Sequence, residues 1–401
     1  MKNATRCVQL DKNDQFGAVS PPIYQTATFL QPAATEFGEY DYSRSANPTR
    51  KQLESKLAQL EYGAFAAAFA SGMAAIAAVS RLLEAGDEVV ASDDLYGGSV
   101  RLLEQVLPRQ GIKVRYADTT NISDVLLSMN SKTKLILIET PTNPFLRVSD
   151  IAGLAKAAHA RGSFLAVDNT MLSPCLQNPL LHGADIVVHS ATKFLCGHSD
   201  VTAGALITNN AEIYRQIAFV QNAEGTALGP FDSWLLLRGL KTLALRVERQ
   251  SSSALKVAEF LSAQPVVHSV FYPGSGESAG NEVHLRQASG GGSVISFTTG
   301  DAAVSQRIVE SAELCSIAVS FGSVNSTISM PCHMSHASIP ERLRERLAPP
   351  PDLVRLSVGI EGVEDIIEDL EQAIGAASMQ VTAPTRNGKA VGTMAVSAAD
   401  H

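Results

Sequence analysis

The stretch His189-Ser190-Ala191-Thr192-Lys193-Phe194-Leu195-Cys196-Gly197-His198-Ser199 comes directly after an apolar run, Ile186-Val187-Val188. It sets a lysine just past what the run predicts to be a buried strand. An ammonium buried without a partner is costly, so a lysine held there commonly has chemistry to do. Burial lowers its pKa and frees the amine, as in lysines that form Schiff bases. Ser190 and Thr192 add hydroxyls that can hydrogen-bond a phosphate beside that amine. The combination points to pyridoxal phosphate (PLP) joined covalently to Lys193. The plainer alternative is a strand-end lysine reaching solvent.

The apolar run is one of a series. Val89-Val90, Leu135-Ile136-Leu137-Ile138, Phe164-Leu165-Ala166-Val167 and Ala205-Leu206-Ile207 are of the same kind, with helical stretches between most of them. Runs this short and this apolar suit a mostly parallel sheet covered on both faces. Polar residues recur just past their carboxyl ends: Glu139, Asp168 and Lys193. Open α/β sheets bind their ligands at that edge. The segment 61–255 is therefore expected to be an α/β domain that binds PLP.

Outside it the pattern changes. In residues 1–60, Pro21, Pro22, Pro32 and Pro48 forbid long regular structure, which predicts an extended arm. Thr49 is expected to cap a helix in which Leu53, Leu57 and Leu60 share a face. Residues 256–380 hold a Gly290-Gly291-Gly292 turn leading into Val294-Ile295-Ser296-Phe297. They read as a smaller α+β domain with an antiparallel sheet and a last helix over 363–377. The tail 381–401 is small and polar, and is expected to be disordered.

The whole chain, 401 residues with 45% hydrophobic and 18% charged, is an ordinary globular composition. A net charge of −8 repels phosphate backbones, which argues against a nucleic-acid partner. Five scattered cysteines with no CxxC pair fit a reducing compartment. The first residues are polar and unlike a secretory signal. The apolar stretch 64–79 is shorter than the roughly 20 residues a membrane span needs. The expected location is the cytoplasm, or the plastid stroma if a transit peptide has been removed.

Several further residues bear on chemistry. Asp168 ends its apolar run and can pair with a pyridinium nitrogen, keeping the ring charged; alone, it would read as a capping aspartate. Ser71-Gly72-Met73 opens an alanine-rich helix, where bare N–H groups can receive a phosphate. Tyr96, beside Gly97 and Gly98, can stack on an aromatic ring or sit in a turn. Pro141-Thr142-Asn143-Pro144 is a stiff turn that aims the Asn143 amide, in one reading at the hydroxyl of the PLP ring. Tyr42 and Arg44 lie in the arm, where Arg44 is either solvated or reaches a phosphate on another subunit. Arg355, in the alternating stretch Leu353-Val354-Arg355-Leu356-Ser357, either faces solvent or turns inward to a substrate carboxylate. No metal is expected: Cys196 with His198, and His333 with His336, lack further ligands at useful spacing.

Taken in order, these motifs resemble those of the PLP-dependent trans-sulfuration enzymes of cysteine and methionine metabolism. The resemblance runs from about Pro21 to Leu370 and is carried by 42–49, 71–73, 94–98, 141–144, 167–169 and 189–199. It implies a fold-type I PLP transferase architecture and a homotetramer built as a dimer of dimers. It also implies roles. Tyr42 and Arg44 would reach the cofactor phosphate of a neighbouring subunit. Gly72, Met73, Ser190 and Thr192 would hold the phosphate in their own. Tyr96 would stack on the ring, Asp168 would pair with its nitrogen, and Lys193 would form the Schiff base. Ser320 and Arg355 would bind the substrate's α-carboxylate. Members acting at the γ carbon commonly carry a glutamate where this chain has Val319, and methionine γ-lyases a cysteine where it has Gly98. The branch most resembled is therefore the plant-type β-lyases, implying cleavage of L-cystathionine to homocysteine, pyruvate and ammonia. The alternatives are a γ-synthase or γ-lyase, a broader cysteine-S-conjugate β-lyase, and a non-catalytic PLP-binding regulatory module.

Overall fold

The apolar runs are the central strands of one sheet. The computed structural model describes residues 2–9, 15–275, 280–337, 339 and 341–381. The tail expected to be disordered lies outside them, except for Val381, which ends a helix. Seven strands make the large sheet: β1 (Phe65–Phe69), β2 (Glu88–Ser92), β3 (Lys113–Ala117), β4 (Thr133–Glu139), β5 (Phe164–Asp168), β6 (Ile186–Ser190) and β7 (Gly204–Thr208), in the order β1-β7-β6-β5-β4-β2-β3. Only β7 runs against its neighbours.

The period-2 alternation of side chains explains why these strands are apolar throughout. Val90, Ile136, Ile138, Leu165 and Val167 face one way, onto Ile151, Leu154 and Ala158 of the helix Ile151–His159. Val89, Leu135, Leu137, Ala166, Ile186 and Val188 face the other way, onto Ala75, Ile76 and Val79 of the helix Gly72–Ser80. β3, one of the sheet's two edges, matches none of those apolar runs. Its Lys113 and Arg115 break the apolar signature because that strand is half exposed.

A second sheet has five strands: β8 (Ser269–Phe271), β9 (Val294–Thr298), β10 (Ser316–Ile317), β11 (Thr327–Ser329) and β12 (Val354–Ser357), in the order β10-β11-β12-β9-β8. It is antiparallel except for the β10–β11 pair. The helices Ala302–Ser311 and Val363–Val381 cover it. One long helix, Leu243–Ser262, serves both cores. Its Leu243 and Val247 pack with Phe194 and Leu195 of the large domain. Its Ala254, Val257 and Leu261 pack under the small sheet. The expected division at 255 thus falls inside a continuous helix. Where the two halves meet, buried Gln250 donates to Ser323 O (2.7 Å) and Val358 O (3.2 Å).

The arm carries two departures from expectation. Asn47, not Thr49, caps the helix Pro48–Leu60, accepting from Thr49 N and Arg50 N. Pro48 holds the first helical position, so the residue before it takes the cap. Thr49 instead ties the arm down, accepting from Tyr24 N and donating to Pro22 O. A short helix, Asn3–Val8, also stands where extended chain is expected from the prolines, with Cys7 buried against the domain.

Candidate active site

The carboxyl ends of β1, β2, β4, β5 and β6 meet at one edge, so Gly72, Tyr96, Asn143, Asp168, Ser190 and Lys193 all lie at or just past a strand end there. Register brings the acids together. Glu139 and Asp168 are direct partners across β4 and β5. Lys193 sits three residues past β6 in a tight turn, where Lys193 N bonds Ser190 O (3.1 Å) and Gly197 N bonds Lys193 O (2.8 Å). Buried Arg246, on the long shared helix, locks the chain just after the lysine by donating to Phe194 O (2.8 Å), and ties it to the neighbouring helix through Gly239 O (2.9 Å).

The Lys193 ammonium donates to Ser320 Oγ at 2.5 Å. Burial, aided by the nearby Arg355 charge, brings its pKa down to about 8, against the opposing pull of Asp168. Arg355 lies on β12 with its side chain buried. It donates from Nη1 to Asn143 Oδ1 (2.8 Å) and from Nη2 to Ser320 O (3.0 Å). Ser320 thus bridges the two cations, in a left-handed backbone conformation (φ +88°). The ring of Phe321 lies under both, 4.9 Å from Lys193 Nζ and 5.2 Å from Arg355 Cζ, a cation–π arrangement. The charges of Asp168 and Glu139 act on these cations, but among the described residues neither cation forms an ion pair, which leaves this corner fitted for an anion.

Burial pushes the Asp168 carboxyl up from its usual range. The Thr170 hydroxyl (2.5 Å) and N–H (2.9 Å), together with nearby His189 and Lys193, pull it back. Glu139 is pushed well above the usual carboxylate range by burial first and by Asp168 second. It accepts from Tyr96 N (3.1 Å) and so anchors the Tyr96 loop. Behind Asp168, buried His189 Nε2 meets Glu61 Oε1 at 2.6 Å, and Asn169 Nδ2 donates to the same oxygen at 2.8 Å. The sequence motifs assign no role to Thr170, Glu61 or His189. Thr170 and His189 stand within or beside those motifs; Glu61 lies 128 residues from its partner, and only the fold joins them.

A phosphate fits the cradle formed by β1, β6 and the helix Gly72–Ser80. Any side chain at Gly72 would put its Cβ 2.8–2.9 Å from Ser190, so glycine is what lets the helix start approach that strand end. Ser71 Oγ caps the helix at Ala74 N (3.1 Å), and the N–H groups of Gly72 and Met73 have no partner among the described residues. Together with the amine of Lys193 and the carboxyl of Asp168, the residues present fit PLP. The Thr192 hydroxyl is engaged by Ala203, donating to its C=O (3.2 Å) and accepting from its N–H (2.9 Å). Tyr42 and Arg44 stand apart on the exposed arm, where Arg44 donates to Asn222 O (3.2 Å). Among the described residues, no group of three or more His, Cys, Asp or Glu is placed to hold a metal ion. Nor is any described helix long and apolar enough to cross a membrane.

Comparison with known proteins fits this geometry. Residues 4–375 match the family described as Cys/Met metabolism PLP-dependent enzyme. The chain is 53% identical to the chloroplastic cystathionine beta-lyase of Arabidopsis thaliana over 92% of its own length and 80% of that protein. It is 49% identical to the chloroplastic mimosinase of Mimosa pudica, over 90% of itself and 82% of the relative. The crystal structure of cystathionine gamma-lyase from Lactobacillus plantarum complexed with L-serine superposes with a TM-score of 0.92 at 39% identity, covering 94% of this chain and 100% of that one. The fold is the type I fold of PLP enzymes, and PLP is the cofactor. With its lysine, its acid pair and its phosphate cradle at one sheet edge, the chain belongs to the PLP-dependent enzymes of cysteine and methionine metabolism.

Proposed function

We propose that the chain is a carbon–sulfur lyase of the cystathionine β-lyase type, releasing homocysteine, pyruvate and ammonia from L-cystathionine. The observation that carries this is the corner of Lys193, Ser320 and Arg355: an amine brought down to about pKa 8 beside a buried guanidinium. Val319, 62% exposed next to Ser320, puts an aliphatic side chain where γ-acting relatives commonly carry an acid. The 53% identity to a β-lyase supports the same reading. The mimosinase name of a relative 49% identical supports a second one, a lyase whose substrates extend beyond cystathionine.

When bound, PLP supplies an electron sink for the charge that develops at the substrate's α carbon. Gly72, Met73, Ser190 and Thr192 would hold its phosphate, Tyr96 would stack on the ring, Asn143 would contact its hydroxyl, and Asp168 would hold the proton of the ring nitrogen. Arg355 and Ser320 bind the substrate carboxylate and fix the rotation of the α carbon. Lys193 Nζ, as a free amine, takes the α proton and later delivers a proton to the departing sulfur.

Tyr42 and Arg44 serve the site of a neighbouring subunit in a homotetramer built as a dimer of dimers, which accounts for their exposure on this protomer. The arm (1–60), the PLP-binding domain (61–255) and the smaller domain (256–380) form the working division of the chain. It acts in the cytoplasm, or in the plastid stroma like the relatives named chloroplastic.

Incubating purified protein with L-cystathionine, L-cystine and O-succinylhomoserine in parallel tests this. Pyruvate from cystathionine is expected. 2-Oxobutyrate in its place would move the chain to the γ branch, and no turnover of any of the three would end the reading. Lys193→Ala should lose the visible absorbance of the holoenzyme and nearly all turnover.

A further inference from the structure

Tyr96, Asn143 and Arg355 come from three segments distant in sequence, and one buried imidazole ties them together. His336, 2% exposed, places Nε2 at 3.2 Å from Leu95 O and 3.2 Å from Asn143 O. Facing two carbonyls, Nε2 carries the proton. Nδ1 is then the acceptor, and Ser335 Oγ donates to it at 2.9 Å. The ring is kept neutral by burial and by the neighbouring charge of Arg355. Every polar atom of the imidazole is therefore used.

The contact is built from both sides. Gly97 packs so closely on this segment that a Cβ there would stand 2.5 Å from Ser335 O and 3.2 Å from His336 Cα. Leu95 directly precedes Tyr96, whose N–H is held by Glu139. Asn143, whose carbonyl accepts from His336, uses its own Oδ1 to hold Arg355 Nη1 at 2.8 Å. The chain of contacts thus runs from the Tyr96 loop through one ring to the carboxylate-binding arginine, spanning 241 residues in the first link and 212 in the last.

We propose that His336 is a positioning residue of this active site: its Nε2–H holds the Tyr96 loop and the Asn143 turn in register, and through Asn143 it orients the Arg355 fork. It rests on the roles assigned to Tyr96 and Arg355 above, but not on which bond the enzyme breaks.

Three substitutions in the holoenzyme separate the donor from the volume it fills. The amide nitrogen of Gln falls near Nε2, so His336→Gln keeps the donor. Asn reaches only as far as Nδ1, and Leu fills space without a donor. The probe is L-alanine, an amino acid with no leaving group, titrated into each protein. Visible absorbance gives the apparent Kd, and visible circular dichroism of the bound PLP reports its surroundings. His336→Gln should stay within about threefold of the parent. His336→Asn and His336→Leu should bind alanine at least about tenfold more weakly and lose part of the dichroism, since two buried carbonyls lose their donor. If Leu proves too disruptive for folding, the Gln and Asn pair carries the test. The proposal falls if the Asn protein, folded and loaded with PLP, keeps both its alanine affinity and its dichroism, or if Gln does as badly as Asn. Because alanine undergoes no elimination, an error in the β-lyase assignment would surface in the product assay and leave this comparison intact.

Discussion

A histidine that stays neutral at physiological pH can still make a protein sensitive to acid. His336 has a pKa of about 4, against 6.5 in the open, because burial and then Arg355 disfavour its proton. Between those values the unfolded chain takes up a proton that the folded chain refuses. The contribution to stability is whole above pH 6.5 and is lost as pH falls toward 4, about 3 kcal/mol in all. Urea unfolding midpoints followed from pH 7 to pH 4 should therefore decline less in His336→Gln than in the parent, by about that amount. An equal decline in both would mean that the ring protonates in the folded state. At this scale the sequence is informative where one local pattern implies one chemistry. Lys193 past a buried run and Arg355 on an alternating strand can both be singled out in this way. His336 and Glu61 cannot, because the partners that the fold brings to them lie 108 to 241 residues away. His336 even suggests a weak metal reading, since a histidine's neighbours in sequence say little about what its nitrogens meet.

Elements are more legible than their ends. The inner strands announce themselves because a strand buried on both faces has no polar side to write into the sequence. The edge strand β3 escapes for the opposite reason. The cap of Pro48–Leu60 is displaced by two residues because Asn47 and Thr49 are both good capping types, and only the intervening proline separates them. The start of Gly72–Ser80 offers the sharpest test at this level. In Gly72→Ala the new methyl meets Ser190 at under 3 Å, so the helix end must withdraw from β6. The expected protein is folded but releases PLP several-fold faster on dialysis, read from the loss of visible absorbance. Unchanged retention would show that the phosphate does not rely on this approach.

For the molecule as a whole, the arm is the part least explained by a single protomer. Phe16, Val19, Leu30 and Phe37 are 86%, 95%, 102% and 72% exposed. Apolar side chains this open, on a segment pinned at Thr49 and Asn47, fit burial against another copy. On the homotetramer proposed above, Leu30→Asp combined with Phe37→Asp should lower the mass found by light scattering to that of a smaller species. Persistence of the full assembly would place the contact elsewhere. The sequence can mark the arm by its prolines, but a surface that is finished only by a second chain leaves no periodic trace in the first. The helix Leu243–Ser262 has a consequence of its own. A rigid rod rooted at one end beneath Lys193 and at the other beneath the small sheet resists any hinge between the two lobes, since bending would break its ladder of backbone bonds near Gln250. The cheaper route for substrate entry leaves the angle between the lobes alone and shifts only the exposed segments around Tyr96 and Val319.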